Sequence, residues 1–209
     1  MFYKKNIFFL SLIVFSLPVF ALLPTSPVPT HRVLIKQLTA LYHDHRLTFW
    51  YEQPFSEKLE FEDRSCALCP ITQKKIQWMM IIPPKILAKN RLCSQEAICM
   101  DSRGHRFSGP RCCLKQDSLY QLMLLDLYNY VPEIPALIPP WKQISMDLAN
   151  QAPEQTRGLV ARTYLYFSDT YHLPLTPEER MLYVTWNQHY PMSPWEKERA
   201  QRIKAIQHK

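Results

Sequence analysis

The side chains that could do chemistry in this sequence are its seven histidines, its six cysteines and a short cationic stretch. His105, inside Ser102-Arg-Gly-His105, and His172 and His189, near the end of the chain, are the candidates for a general base. A catalytic base works only when a partner group orients it. None of the three has a carboxylate or asparagine at a spacing that the sequence reveals, and each has a plainer reading as a surface or helix-end histidine. Arg103, Arg106, Arg111 and Lys115 form the densest positive run. Such a run could contact the phosphates of DNA or RNA, and a solvated loop face explains it equally well.

Cys66, Cys69, Cys93, Cys99, Cys112 and Cys113 all fall within one stretch of chain. An even count in an exported protein points to disulfides, with fifteen possible connectivities for six cysteines. Cys66-x-x-Cys69 would also suit a redox pair or half a zinc site. Zinc needs two further ligands at matching spacing, and only the isolated His105 stands nearby. With three glycines against 18 prolines, the chain lacks the glycine clusters of a phosphate-cradling or dinucleotide-binding loop.

Residues 1–21 place Lys4 and Lys5 ahead of an apolar run from Ile7 to Phe20 and close on Val19-Phe20-Ala21, which predicts an export signal cleaved after Ala21. Containing Pro18, the run is short for a membrane-spanning helix. The expected product is residues 22–209, a single domain in the periplasm or outside the cell with no stable membrane span. Loss of Lys4 and Lys5 lowers the formal charge from +7 by two, leaving a surface that favours polyanions.

The elements that must position these groups follow from apolar spacing. Leu34, Leu38, Leu41 and Tyr42 predict a helix from His31 to about His45. Leu47 to Tyr51 looks like a strand, Leu59-Glu-Phe-Glu62 alternates like an exposed one, and Ile76 to Ile82 is a buried-looking run stopped by Pro83-Pro84. Cys93 to Cys113 reads as a cystine-tied surface loop. Gln116 to Tyr128 has a helical pattern, and a helix near Lys142 to Leu148 follows the proline-rich stretch Pro132 to Pro140. Val160, Thr163, Tyr164, Phe167 and Tyr171 share a helix face. Thr176-Pro-Glu-Glu179 and Ser193-Pro-Trp-Glu196 each offer a capping hydroxyl, a proline at the first helical position and a glutamate at the third. The fold class predicted is α+β, helix-rich, with a small sheet and disulfide stabilisation.

Arg157-Gly-Leu-Val-Ala-Arg-Thr-Tyr-Leu-Tyr-Phe167, Trp186-Asn-Gln-His-Tyr-Pro191, Trp195-Glu-Lys-Glu-Arg199, Arg202-Ile203 and Ile206-Gln207 together resemble the closing part of bacterial endonuclease I. Upstream, His43-Asp-His-Arg-Leu-Thr-Phe49, Ser65-Cys66, the cysteine-bearing segment to Cys113 and Asp126-Leu-Tyr-Asn129 with Pro132 are similar to the same family. The resemblance implies a Mg²⁺-dependent nuclease with a ββα motif of the His-Me finger type. There Trp-Glu-His-hydrophobic-hydrophobic-Pro supplies a metal-holding glutamate and a histidine that deprotonates water.

Here Trp78 and Pro83 frame Met79 in the glutamate place and Met80 in the histidine place. Leu124 stands for a second glutamate. After Pro135, Ala136, Ile138 and Trp141 stand where the resemblance implies Glu, the metal-binding Asn and the phosphate-facing Arg. A thioether accepts no proton at neutral pH and ligates hard Mg²⁺ poorly. No shift of register restores a Glu-His pair or an Asn-Gly-Asp-Arg run.

The resemblance therefore implies an endonuclease I-like protein with a degenerate catalytic motif, catalytically inactive, retaining nucleic-acid binding and expecting neither cofactor nor metal. One alternative is an active metal-dependent endonuclease on DNA or RNA with its base at His105, His172 or His189. The other is an exported disulfide-stabilised module for an unknown protein partner, using Trp50-Tyr51 and Trp141 if these are exposed.

Overall fold

The computed structural model describes residues 30–61, 75–134 and 152–207. Leu34, Leu38 and Leu41 become the buried stripe of α1 (His31–Leu41), which stops short of His45 because Tyr42 already leaves helical geometry. β1 (Gln77–Met80) pairs antiparallel with β4 (Tyr130–Glu133), matching Trp78 to Pro132, Met79 to Val131 and Met80 to Tyr130. Between these two strands lie α2 (Pro84–Ala88), α3 (Leu92–Gln95), a hairpin of β2 (Cys99–Met100) and β3 (Arg106–Phe107), α4 (Pro110–Gln116), α5 (Ser118–Leu125) and a 3-10 turn, Leu127–Asn129. The chain closes with α6 (Glu154–Tyr171), α7 (Pro177–His189) and α8 (Pro194–Gln207). The described residues are thus helix-rich α+β with two small antiparallel sheets. No helix among them is long and apolar enough to cross a membrane. The export signal, Cys66, Cys69, Ala136, Ile138, Trp141 and the helix expected near Lys142 lie outside the described residues.

Several expectations change. Leu47 to Tyr51 forms a turn instead of a strand: Thr48 N–H donates to Gln53 O, Glu52 N–H donates to Thr48 O, and Glu52 takes a positive φ of 51°. Only the bridge from Leu47 to Pro54 survives as sheet-like pairing there. Leu59 likewise takes a φ of 56°, so Glu60 and Phe61 contribute isolated bridges only.

The helix read across Gln116 to Tyr128 is broken twice by aspartates. Asp117 accepts Tyr120 N–H to cap α5, and Asp126 accepts Tyr128 N–H to start the 3-10 turn. A short side-chain acceptor competes with the helical ladder at such positions. The cystine-tied segment holds two short helices and the β2–β3 hairpin, fastened by Cys93–Cys113 and Cys99–Cys112. All four sulfurs belong to buried residues. Closing loops of these lengths contributes roughly 3 kcal/mol each by chain entropy.

The C-terminal reading holds most closely. Val160, Thr163, Tyr164 and Phe167 are buried on α6. α7 opens with the full capping box, Thr176 accepting Glu179 N–H while the Glu179 carboxylate accepts Thr176 N–H. At α8, Ser193 Oγ accepts Glu196 N–H at 3.1 Å. Gly158 is needed for a close approach, since a Cβ there would collide with the Tyr190 carbonyl.

Asn129 is the rivet between the 3-10 turn and the residues just after β1. Fully buried, it accepts Ile82 N–H at 2.7 Å and donates to Ile82 O at 2.9 Å. Asn129→Leu keeps the volume and strands both Ile82 groups. Urea unfolding of the oxidised protein should show a loss of about 2–5 kcal/mol, from two unsatisfied buried groups. A loss under about 0.5 kcal/mol, the scatter expected of a neutral surface change, would show that the rivet bears no weight.

Candidate active-site region

Met79 and Met80 lie on β1 as the frame of Trp78 and Pro83 requires, but in half-buried positions. Both pack against the main apolar core, which includes Trp50, Ile81, Ile82, Met123, Val131 and Phe167. Leu124, near the end of α5, packs against the same core. Three of the positions expected to have lost catalytic groups therefore border one hydrophobic cluster. Trp78 and Met80 also face a second cluster built from α1, Leu127, Tyr130 and Ile203.

The strand pairing explains this arrangement. Met80 sits opposite Tyr130, whose hydroxyl donates to the Leu124 carbonyl at 2.7 Å. Burial pushes the Tyr130 phenol up to about 12, so it remains a neutral donor.

The polar residues beside these positions are committed to structure. Asp126, 2% exposed, accepts Tyr128 N–H at 2.9 Å, Tyr166 Oη at 2.9 Å and Tyr171 Oη at 2.6 Å. Desolvation first, and the Asp126 charge second, push both tyrosines above the ordinary phenol range. They are protonated donors at every physiological pH. Glu133 is fully buried and accepts Trp50 N–H at 2.7 Å and Ile134 N–H at 2.8 Å. Among the described residues no group of three histidine, cysteine or acidic side chains could hold a metal. Two thioethers and a leucine do not fit Mg²⁺, which demands oxygen ligands.

The four cationic candidates are exposed and sit on the cystine-tied segment. The structure brings Arg111 and Lys115 together over the Phe107 ring, at 5.9 and 5.2 Å from its centroid. Arg106 lies opposite Met100 across the β2–β3 pair, and Arg103 lies in the turn between those strands. Asp101 holds that turn by accepting the N–H groups of Arg103 and His105.

His105 does have a carboxylate partner, contrary to the sequence reading. Its Nδ1 lies 3.2 Å from Asp101 Oδ2, across a turn that Gly104 enters at a φ of 81°. The signal was present as Asp101 four residues before a histidine preceded by glycine, but only the turn brings the pair together. His172 is an exposed left-handed cap of α6, and His189 Nδ1 contacts Thr185 O at 2.9 Å. Trp50 is 5% exposed, so it offers no docking surface, whereas Tyr51 is 44% exposed.

Known proteins resemble this chain in sequence. Residues 148–209 match the family model for endonuclease I. An extracellular deoxyribonuclease of Aeromonas hydrophila is 28% identical over 220 residues, covering 90% of each chain. A periplasmic deoxyribonuclease of the same species is 27% identical over 85% of this chain and 82% of its own. An extracellular endonuclease of Pseudomonas fluorescens biotype A is 46% identical across a 50-residue stretch, 24% of this chain.

Burial raises the Glu133 carboxyl above its ordinary value. The folded protein therefore holds the Glu133 proton to higher pH than the unfolded chain does. This contribution makes stability rise as pH falls from neutral through the raised carboxyl range, levelling off below the ordinary carboxylate value. Urea midpoints measured from pH 7 downward should show this rise in the native protein and a smaller one in Glu133→Gln. Equal slopes in the two proteins would exclude Glu133 as the group responsible.

Proposed function

We propose that this chain, similar to endonuclease I, is an exported endonuclease I-like protein that has lost phosphodiester hydrolysis and still binds nucleic acid through its cystine-tied basic face. The observation carrying the first half is the packing of Met79, Met80 and Leu124 against one apolar core. Removing a general base costs about 10²–10⁴-fold in rate. Removing the metal ligands takes away the separate stabilisation of phosphate charge. With both gone, the family's reaction has no remaining machinery at these positions. In this reading the β1–β4 pair is what the chain retains of the ββα motif, with the proton-accepting and metal-holding side chains replaced by core.

Export is supported by the basic start and apolar run of residues 1–21 and by the extracellular and periplasmic relatives. Two cystines in the described segment suit an oxidising compartment.

Nucleic-acid contact is supported by Arg103, Arg106, Arg111 and Lys115 on one disulfide-braced unit, and by a formal charge that stays positive when loss of Lys4 and Lys5 lowers it from +7 by two. Bracing lowers the ordering cost of presenting these cations to a phosphate backbone. DNA and RNA both offer that backbone, and no base-reading group is part of the proposal.

Two measurements test this reading. Purified mature protein incubated with plasmid DNA or RNA plus Mg²⁺ or Mn²⁺ should leave both intact. Cleavage that disappears in His105→Ala, His172→Ala or His189→Ala would instead establish relocated chemistry, with the Asp101–His105 pair as the first suspect. Duplex DNA binding followed by fluorescence anisotropy should weaken steeply with salt. Arg111→Ala with Lys115→Ala should lower the slope of log K against log[salt] by roughly 1.8, at about 0.9 per lost phosphate contact. Unchanged slopes would remove this face from the interface, and no binding at low salt would leave the protein-partner alternative standing.

A further inference from the structure

Arg199 on α8 is 2% exposed, yet no carboxylate among the described residues is bonded to it. Its Nε donates to Tyr42 Oη at 2.9 Å, and its Nη2 donates to the carbonyls of Leu127, Tyr128 and Tyr130 at 3.1, 3.3 and 2.9 Å. The nearby Glu196 is committed elsewhere, with its two oxygens at 2.5 and 2.6 Å from Arg162. That leaves Arg199 Nη1 without a partner among the described residues.

Nη1 is not sealed in either, since the one enclosed and unpartnered side-chain nitrogen or oxygen among the described residues is Trp78 Nε1. Arg199 lines a groove of about 420 Å³ between the Leu47–Phe49 turn, β4, and the starts of α6 and α8. A buried cation whose direct partners among the described residues are all neutral thus borders an open groove. Burying a charge without a counter-ion is costly, and an entering anion would relieve that cost.

The remaining walls fit such a ligand. Phe49, Pro132, Leu159 and Trp195 supply apolar surface. The Thr48 and Ser193 hydroxyls each accept a backbone N–H, from Gln53 at 2.9 Å and Glu196 at 3.1 Å, and so each keeps its own proton to donate. Ser193 and Pro194 also bring the start of the 14-residue α8 to the groove, where the helix dipole favours negative charge. Two carboxylates line the groove, Glu196, whose charge is paired with Arg162, and Glu52, which repels a second negative charge and so disfavours a polyphosphate strand. His45, stacked on Trp195 at 4.0 Å, is held below its ordinary pKa mainly by desolvation and adds no cation at neutral pH.

We infer that this groove binds a small organic anion: one carboxylate or phosphate monoester on Arg199 Nη1, with an apolar body against Phe49, Pro132 and Leu159. The volume lies within the range of about 300–1,000 Å³ usual for small-molecule sites. The site is separate from the β1 positions and from the basic face, so it stands or falls independently of the loss of nuclease activity.

Titration calorimetry on the full mature protein, with benzoate and deoxythymidine 5′-monophosphate as probes, tests this directly. At least one should bind with a Kd of roughly millimolar or tighter. Benzyl alcohol and thymidine, which keep the body and lack the charge, should bind at least about tenfold more weakly, the ratio a difference of 1.4 kcal/mol gives. The phosphate and carboxylate arms identify which head group the site prefers.

Leu159→Trp, which fills the groove and leaves the guanidinium alone, should abolish binding. Glu52→Gln should tighten it about two- to fivefold by removing a like charge. Arg199→Lys is an optional third variant, since it also disturbs the fold. Equal binding of the neutral analogues, binding of inorganic phosphate alone, unchanged affinity in Leu159→Trp, or no heat with either anion would each overturn the proposal.

Discussion

The Arg199 guanidinium is the interaction on which the arrangement of this protein depends. It gathers the carbonyls of Leu127, Tyr128 and Tyr130 and the Tyr42 hydroxyl. α8 is thereby tied to α1, to the 3-10 turn and to the first residue of β4. Those carbonyls face the interior, where an unpaired acceptor costs about 1–3 kcal/mol. β4 sets the register of β1, so the positions of Met79 and Met80 follow from a contact made by a C-terminal helix. Arg162 secures the other side of α8, binding Glu196, Asn187 Oδ1 and the Tyr190 carbonyl.

This division separates the framework of the protein from the side chains that β1 carries. The residues matching the endonuclease I model, 148–209, include Arg162, Glu196 and Arg199. Their bonds hold α6, α7, α8 and β4 together whatever side chains stand on β1. A Glu-His pair at Met79 and Met80 would border apolar core without a metal, and burying charge there carries a desolvation cost. Thioethers in the same places gain instead, about 1.5–3 kcal/mol for a fully buried methionine side chain and less for these half-buried ones. Asp126 bonds Tyr166 and Tyr171, and Asn129 bonds the Ile82 backbone, so both have structural duties.

What the sequence made legible was local. Helices α6, α7 and α8 announce themselves through apolar spacing and through Thr176 and Ser193, whose caps need only nearby partners. The Leu47–Tyr51 turn was misread as a strand because its aromatic residues alternate plausibly. Its true constraint is distant: Trp50 N–H meets Glu133, 83 positions away. Asp117 and Asp126 were read through as part of one helix, although both are caps. The apolar character of Met79, Met80 and Leu124 was visible in the residue types, but their common core needed the β1–β4 register. Arg199 was legible only as scaffold, since its four partners lie 69 to 157 residues away. The pairing of four cysteines was beyond the sequence because each vicinal cysteine takes a different partner.

In the proposed function, apolar core stands where a catalytic metal site would be. The most direct measurement is Mn²⁺ titrated into metal-free protein and followed by electron paramagnetic resonance, in which bound Mn²⁺ loses the sharp free-ion signal. The signal should rise in proportion to added Mn²⁺, as it does in buffer. Loss of one equivalent of free signal, restored by Leu124→Lys beside the β1 methionines, would place a working metal site where an apolar cluster is described and would contradict the account.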